Sequence, residues 1–319
     1  MANKVLFMGC NSDQVPYLKA IKALGYTVIG TDMNAKAPGA PLTDRFYKVG
    51  YTNLDGLKEV ARSEQLSSND LIFTAAAHFA YEGASKLAAS LGIPFIKPEA
   101  VDTCLDKVKF YSLLQKCDVP IPPTSLYDVS NPPNLRRDKI YFLKSDYGKS
   151  PNYCYRIING QVPKLPQKFD SFYRRTFVLQ EEIKGMHYRV NLYCDKAAAF
   201  LKFSDTAAVP VSTLGPRHSV VINKLLKIAS ILGATDLLTK FDLIVNENGW
   251  YVLDIGLDPP MRMKLLCDYL GLDFPASYIR YYLLHDKTSL PNWEDICKPI
   301  IIRGSPLHGY DFINLGDVQ

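Results

Sequence analysis

The first ninety residues alternate apolar strands with amphipathic helices, and that rhythm leaves few folds open. "KVLFMGC" reads as a buried strand, residues 16–24 as a helix and "YTVIGTD" as the next strand, so the chain opens with a βαβ unit. A helix near Leu54–Ser63, a strand at "DLIFTAA" and a helix through "GASKLAASLG" carry the pattern to Pro94. The expectation is a small α/β domain with a parallel sheet over residues 1–95. Asp32 closes the second strand, where a dinucleotide fold places its ribose acid. The first turn, "GCNSDQ", supplies only Gly9, so the close backbone approach to a pyrophosphate that GxGxxG permits is missing. This domain reads as scaffold and substrate wall, not as a cofactor site.

From Ile96 the pattern changes. "AVDTCLDKVKFYSLLQKC" reads as a helix with a Pro-rich exit, and "KIYFLKSDYGKSPNYCYRI" as two strands around a polar loop with Ser145, Gly148, Lys149 and Ser150. Lys144, where the first of these strands ends, is either a solvated strand-end lysine or a phosphate contact beside a flexible flap. In "HYRVNLY" the two-residue period puts Tyr188, Val190 and Leu192 on one face and Arg189 and Asn191 on the other. Residues 219–232 read as a helix with a serine N-cap and Gly233 behind it.

The stretch "KFDLIVNENGWYVLDIGLDPP" places an acid at the start of one apolar run and another inside the next. Asn248-Gly249 between the runs signals a hairpin. Asp242 and Asp254 are an even number of positions apart, so they face each other across an odd-length loop. A three-residue loop, Glu247-Asn248-Gly249, sets them directly opposite, about 4.5–5.5 Å apart at the β-carbons, where like charges destabilise a sheet. A magnesium ion with phosphate oxygens would relieve that repulsion. A two-residue Asn-Gly turn instead puts the acids on opposite faces as solvated edge residues.

Charge and cysteine usage narrow the function classes. A net charge of +5 without a basic, aromatic-interleaved stripe argues against nucleic-acid binding. Seven cysteines without a CxxC pair argue for reduced thiols in a cytoplasmic setting, against a disulfide framework or a zinc site. No apolar run is long enough to cross a bilayer, and "MANKVLFMGC" turns polar too soon for a signal peptide.

Taken in order, these pieces resemble the ATP-grasp superfamily of carboxylate-amine ligases, relatives of D-alanine:D-alanine ligase, carbamoyl-phosphate synthetase and ribosomal-protein glutamate ligase. The resemblance covers nearly the whole chain. It implies an α/β plus α+β fold: a small parallel-sheet pre-ATP-grasp domain (1–95), then an ATP-grasp domain (96–319). The latter divides into a first subdomain with the phosphate flap (about 96–180) and a second with the metal site (181–319). Asp106-Lys107 looks like the pair from which a lysine reaches ATP. Lys144 is similar to the lysine on the α and β phosphates, with Gly148 to Ser150 as flap. "QEEIKG" looks like the adenine hinge, with Gln180, Glu181, Glu182 and Ile183 toward the base. His187 stands where relatives carry an acid for the ribose. Arg189 resembles the arginine facing the terminal phosphate, and Lys240 occupies a place where ligases often carry a cation near the acyl phosphate.

Asp242 and Asp254 match the two metal-binding acids. The family commonly ends in "E-x-N-P-R", whereas this chain has Asp254, Gly256, Leu257 and Asp258. The second metal's asparagine is gone, and Asp258 is expected to compensate on the same face if the strand continues. The resemblance implies ATP with Mg²⁺, or Mn²⁺ in its place, and small-molecule carboxylate and amine substrates, and it admits a homodimer. Arg262 and Arg217 are candidates for gripping a substrate carboxylate. His78 and Glu82, at a strand's carboxyl end, are candidates for the same cleft. The expected reaction joins an acid to an amine through an acyl phosphate. The rival readings are a phosphotransferase that stops after phosphate transfer, and a nucleotide-binding protein without turnover.

Overall fold

The computed structural model describes residues 4–128, 131–148, 153–165, 176–193, 195–305 and 309–317. The N-terminal part forms a parallel sheet in the order β3-β2-β1-β4. Its elements are β1 (Lys4–Met8), α1 (Val15–Ala23), β2 (Thr27–Thr31), β3 (Arg45–Tyr47), α2 (Leu54–Ser63), β4 (Leu71–Thr74) and α3 (His78–Leu91). Val5 to Met8 are fully buried, as a strand covered on both faces requires. Asn53 caps α2 by accepting from the Gly56 N–H, and Gly92 ends α3 in the left-handed region at φ +69°.

The next helix is two helices. α4 (Pro98–Leu105) stops at Asp106, whose carboxylate accepts from the N–H groups of Val108 and Lys109 at 3.0 Å and so starts α5 (Lys107–Lys116). A residue that caps a new helix cannot continue the old one, which is why the expected single helix breaks there. β5 (Thr124–Tyr127), β6 (Tyr141–Ser145), β7 (Cys154–Ile157) and β8 (Phe177–Glu181) form an antiparallel sheet in the order β5-β8-β6-β7.

A larger antiparallel sheet follows, built from β9 (Met186–Tyr193), β10 (Lys196–Lys202), β11 (Ala207–Val211), β12 (Thr239–Asn246), β13 (Gly249–Gly256), β14 (Ile300–Ser305) and β15 (Gly309–Asn314). Their order is β13-β12-β9-β10-β11-β14-β15. α6 (His218–Ile231) precedes β12, and α7 (Met261–Tyr269), α8 (Phe274–Leu284) and α9 (Trp293–Ile296) precede β14. α6 starts one residue before the expected serine cap, with Arg217 at the cap position and no side-chain cap bond.

One face of the large sheet, with Val190, Leu192, Phe241 and Val252, packs against α6, α4 and α5. On the other face, Tyr193, Ala198 and Phe200 share a core with α8 and with Val5, Phe7 and Phe73 of the parallel sheet. Phe73 meets Tyr282 edge-on at 5.2 Å and Tyr17 meets Tyr278 at 6.4 Å, while the Tyr282 hydroxyl donates to the Ile72 carbonyl at 2.8 Å. Such aromatic pairs add about 0.5–1.5 kcal/mol each beyond their area. The N-terminal sheet is thereby fastened to a C-terminal helix. No helix among the described residues is long and apolar enough to cross a membrane.

α3 crosses the β3–α2 loop closely at Gly83, where a β-carbon would lie 1.9 Å from the Tyr51 carbonyl oxygen. Gly83→Ala is therefore expected to cost about 1–3 kcal/mol by overpacking. Urea unfolding measures it, and an unchanged midpoint would show that α3 can shift without loss.

Candidate functional site

The two acids of the hairpin do lie opposite each other, but not through either expected turn. β12 and β13 join by Glu247-Asn248, with Asn246 paired to Gly249. The Asn246 side chain accepts from the N–H groups of Asn248 and Gly249, which pulls the turn one residue ahead of Asn-Gly. That register runs to Leu243 opposite Val252 and would set Asp242 against Leu253. Instead the ladder shifts after Leu243, and Asp242 pairs with Asp254. Leu253 is the extra residue of a bulge, a device that re-aims side chains beside active sites. Its carbonyl accepts from the Tyr111 hydroxyl at 2.9 Å.

Three cavities with shared walls run past these acids. The first, about 660 Å³, lies over Phe142, Lys144, Ile183, His187, Ile244 and Leu253. The second, about 290 Å³, is lined by Lys107, Lys144, Gly148, Arg189, Lys202, Asp242 and Asp254, and shares Lys144, Cys154, His187, Asp205 and Leu253 with the first. The third, about 320 Å³, is lined by Asp13, Tyr17, Lys240, Asp258 and Arg262, and shares Arg189 and Asp205 with the second.

At the first cavity the polar side chains are tied down. Gln180 is buried: its Oε1 accepts from Lys144 Nζ at 2.6 Å, and its Nε2 donates to Thr124 Oγ1 and the Tyr111 hydroxyl. It supports the lysine from below and does not present its amide to a base as expected. Glu181 is paired with Lys139 and Glu182 with Arg156. Both acids line the cavity with Ile183, yet their carboxylates are committed to neighbouring cations. Burial lowers the Lys144 pKa from its ordinary value, because an ammonium out of water is disfavoured. In the second cavity Lys107 Nζ donates to the Gly148 carbonyl at 2.6 Å, so helix α5 reaches the loop after β6. Ser150 lies outside the described residues.

Arg189 joins the second and third cavities. Its Nε and Nη2 donate to both oxygens of Asp242 at 2.9 and 2.7 Å, a bidentate pair across β9 and β12. The repulsion expected between the two acids is therefore already relieved by protein. Asp254 Oδ1 accepts from the Ile255 N–H at 3.0 Å. His187 Nε2 lies 3.6 Å from Asp242 Oδ1, buried without a hydrogen-bond partner. Lys202, whose pKa burial also lowers, lies across from His187 on β10.

Asp258 does not join Asp242 and Asp254 on the second cavity. β13 ends at Gly256, and Asp258 turns to bond Lys240 and, at 2.9 Å, His78 Nε2, lining the third cavity instead. Arg262 is on that cavity too, donating to the Asp205 carbonyl at 2.7 Å; burial and then Arg189 lower its pKa. His78 lines none of the three cavities and touches the third through Asp258; two further candidates fall elsewhere. Arg217 donates to the Glu247 carbonyl at the far end of the hairpin, and Glu82 pairs with Lys86 along α3. Neither lines the three cavities. Asp13, Tyr17, Tyr153, Cys154 and Lys202 line them and were not anticipated. For Lys202 the one signal was its place two residues past Phe200, on the polar end of a β-strand.

The donor set suits one hard divalent ion. Asp242 and Asp254 face one cavity from adjacent strands, and Mg²⁺ binds through one or two carboxylates with phosphate and water completing its octahedron. Among the described residues no group of three or more His, Cys, Asp or Glu side chains gathers at metal-binding range.

No family model and no curated protein matches the sequence. Solved structures do match. An L-amino acid ligase from Bacillus licheniformis superposes with a TM-score of 0.68 at 14% identity, over 97% of this chain and 82% of that one. N5-carboxyaminoimidazole ribonucleotide synthetase from Thermotoga maritima gives 0.70 at 13% identity, over 94% and 80%. Phosphoribosylglycinamide synthetase from Anaerococcus prevotii gives 0.63 at 17%, over 95% and 81%. These are ATP-grasp enzymes, and the chain has the ATP-grasp fold.

Proposed function

We propose that this chain is an ATP-dependent carboxylate-amine ligase acting on small, amino-acid-like substrates, releasing ADP and phosphate. The observation that carries the reading is the line of three cavities with Arg189 at the junction of the last two. The first takes the adenine against Phe142, Ile183 and Leu253. The second takes the phosphates, with Lys107, Lys144 and Lys202 supplying positive charge. The third takes the acid, with Arg262 on a carboxylate of the substrate and Lys240 nearby. Mg²⁺ held by Asp242 and Asp254 would neutralise phosphate charge when bound. Phosphoryl transfer depends on positioning and charge neutralisation, which is what this set of side chains offers; no serine or cysteine nucleophile is needed. The six described cysteines are unpaired thiols, in keeping with a cytoplasmic setting.

Arg189 reaches both the phosphate and the acid, so it is the group placed to follow a phosphoryl group from one to the other. ADP formation should require an acid, and hydroxylamine should intercept the acyl phosphate as a hydroxamate. A panel of amino acids with hydroxylamine tests this. ADP release that never yields hydroxamate or amide would sink the ligase reading, and a stable phosphorylated product would favour the phosphotransferase. Arg217→Ala, which removes a cation outside the cavities, should leave turnover at the parental rate.

A further inference from the structure

We propose that the site works with a single divalent ion, and that the ammonium of Lys240 stands in place of a second. This rests on the reading of the cavities as an ATP site. Two rows of side chains cross β9, β12 and β13 on the cavity face. The first row is Arg189, Asp242 and Asp254; the next is Asn191, Lys240 and Gly256. A second ion beside the first would need an oxygen ligand from that next row, and the row offers none in reach. A β-carbon at Gly256 would lie 2.6 Å from Lys240 Cε, 2.9 Å from Lys240 Cγ and 2.9 Å from His78 Cε1. The lysine stem therefore fills the space that any side chain at position 256 would occupy. Asn191 is wholly buried and lines none of the three cavities, so its amide, although without a hydrogen-bond partner, is shut off from them. Of the other acids on these walls, Asp258 is turned away to Lys240 and His78, while Asp205 extends into solvent with its side chain 97% exposed and Lys202 beside it.

An ammonium is thus built in, its charge shared with the Asp258 carboxylate. Lys240 is mostly buried and lines the third cavity with Arg189 and Arg262. Its partner Asp258 is held in turn from the first residue of α3. A cation fixed by the fold needs no reorganisation when charge develops on a transferring phosphoryl group. A lysine that merely stapled α3 to the large sheet would show the same contacts, so the test must separate the two roles.

Mn²⁺ bound to the full chain at saturating β,γ-imido-ATP, counted by electron paramagnetic resonance, should reach one ion per chain. Two ions per chain would overturn the inference while leaving the ligase reading intact; no nucleotide binding at all would remove both. Lys240→Met should also hold one Mn²⁺ and keep its ADP affinity, but lose about a hundredfold in affinity for fluoroaluminate bound with ADP and Mn²⁺. Lys240→Arg should recover most of that loss. A folded Lys240→Met chain that retains fluoroaluminate as the parent does would reduce Lys240 to a structural contact. Should that variant fail to fold, the ion count on the parent chain still decides.

Discussion

Asp254→Asn is expected to cut turnover by about a thousandfold while leaving the chain folded. The substitution keeps the side chain's shape and its bond from the Ile255 N–H but removes one of the two carboxylate charges that line the second cavity, where the phosphates are proposed to bind. Loss of a group that stabilises charge at the reacting phosphate costs about 10²–10³ in rate for a single fixed donor, and an ion ligand should stand at the upper end. Because Arg189 already neutralises Asp242, little repulsion is left to relieve, and the melting temperature without ligands should match the parent or rise slightly. Magnesium titrations of ATP binding make the outcome plain. Asp254→Asn with parental turnover and unaltered magnesium dependence would remove this acid from the site.

Lys144→Met should weaken ATP binding by about 2–5 kcal/mol, the cost of losing charge-assisted contacts in a partly desolvated site. It should also lower stability, because Gln180 Oε1 is left buried without its ammonium donor, at about 1–3 kcal/mol. The sequence leaves Lys144 open between a solvated strand end and a phosphate contact, and its bond to Gln180 adds a structural role. Burial lowers its pKa below the ordinary 10.5, and bound phosphates favour the ammonium again. Nucleotide binding should therefore take up protons in the alkaline range beneath 10.5, and do so less in Lys144→Met. Calorimetry in buffers of different ionisation enthalpy reads the uptake. Equal ATP affinity in the folded variant would exclude Lys144 from the phosphates.

What the sequence disclosed follows from the range of the interactions. The βαβ opening was readable because strand burial and helix caps are local: Asn53 and Gly92 punctuate α2 and α3 as the residue types suggest. The opposition of Asp242 and Asp254 was anticipated for the wrong reason. An Asn246 side chain displaced the turn, and a bulge at Leu253, supported by Tyr111 from α5, restored the register. Nothing within the hairpin signals that distant hydroxyl. Arg217 and Glu82 looked like site residues because charge near an expected cleft is all a sequence offers; the fold turns one toward Glu247 and the other toward Lys86. Asp13 and Tyr17 were invisible for the converse reason. They belong to the N-terminal part and become cavity walls only when it docks on the large sheet.

That docking has a consequence for synthesis on the ribosome. Ile72 and Tyr282, joined by a hydrogen bond, are 210 residues apart in the chain. At about 5–20 residues per second, the parallel sheet emerges and waits about 10–40 s for the helix that covers Phe73 and Tyr17. Throughout that interval the nascent chain carries an uncovered aromatic face, the kind of surface that holdase chaperones bind. A synonymous slowdown before codon 282 should lengthen that exposure and lower the soluble yield without altering a single residue of the finished protein.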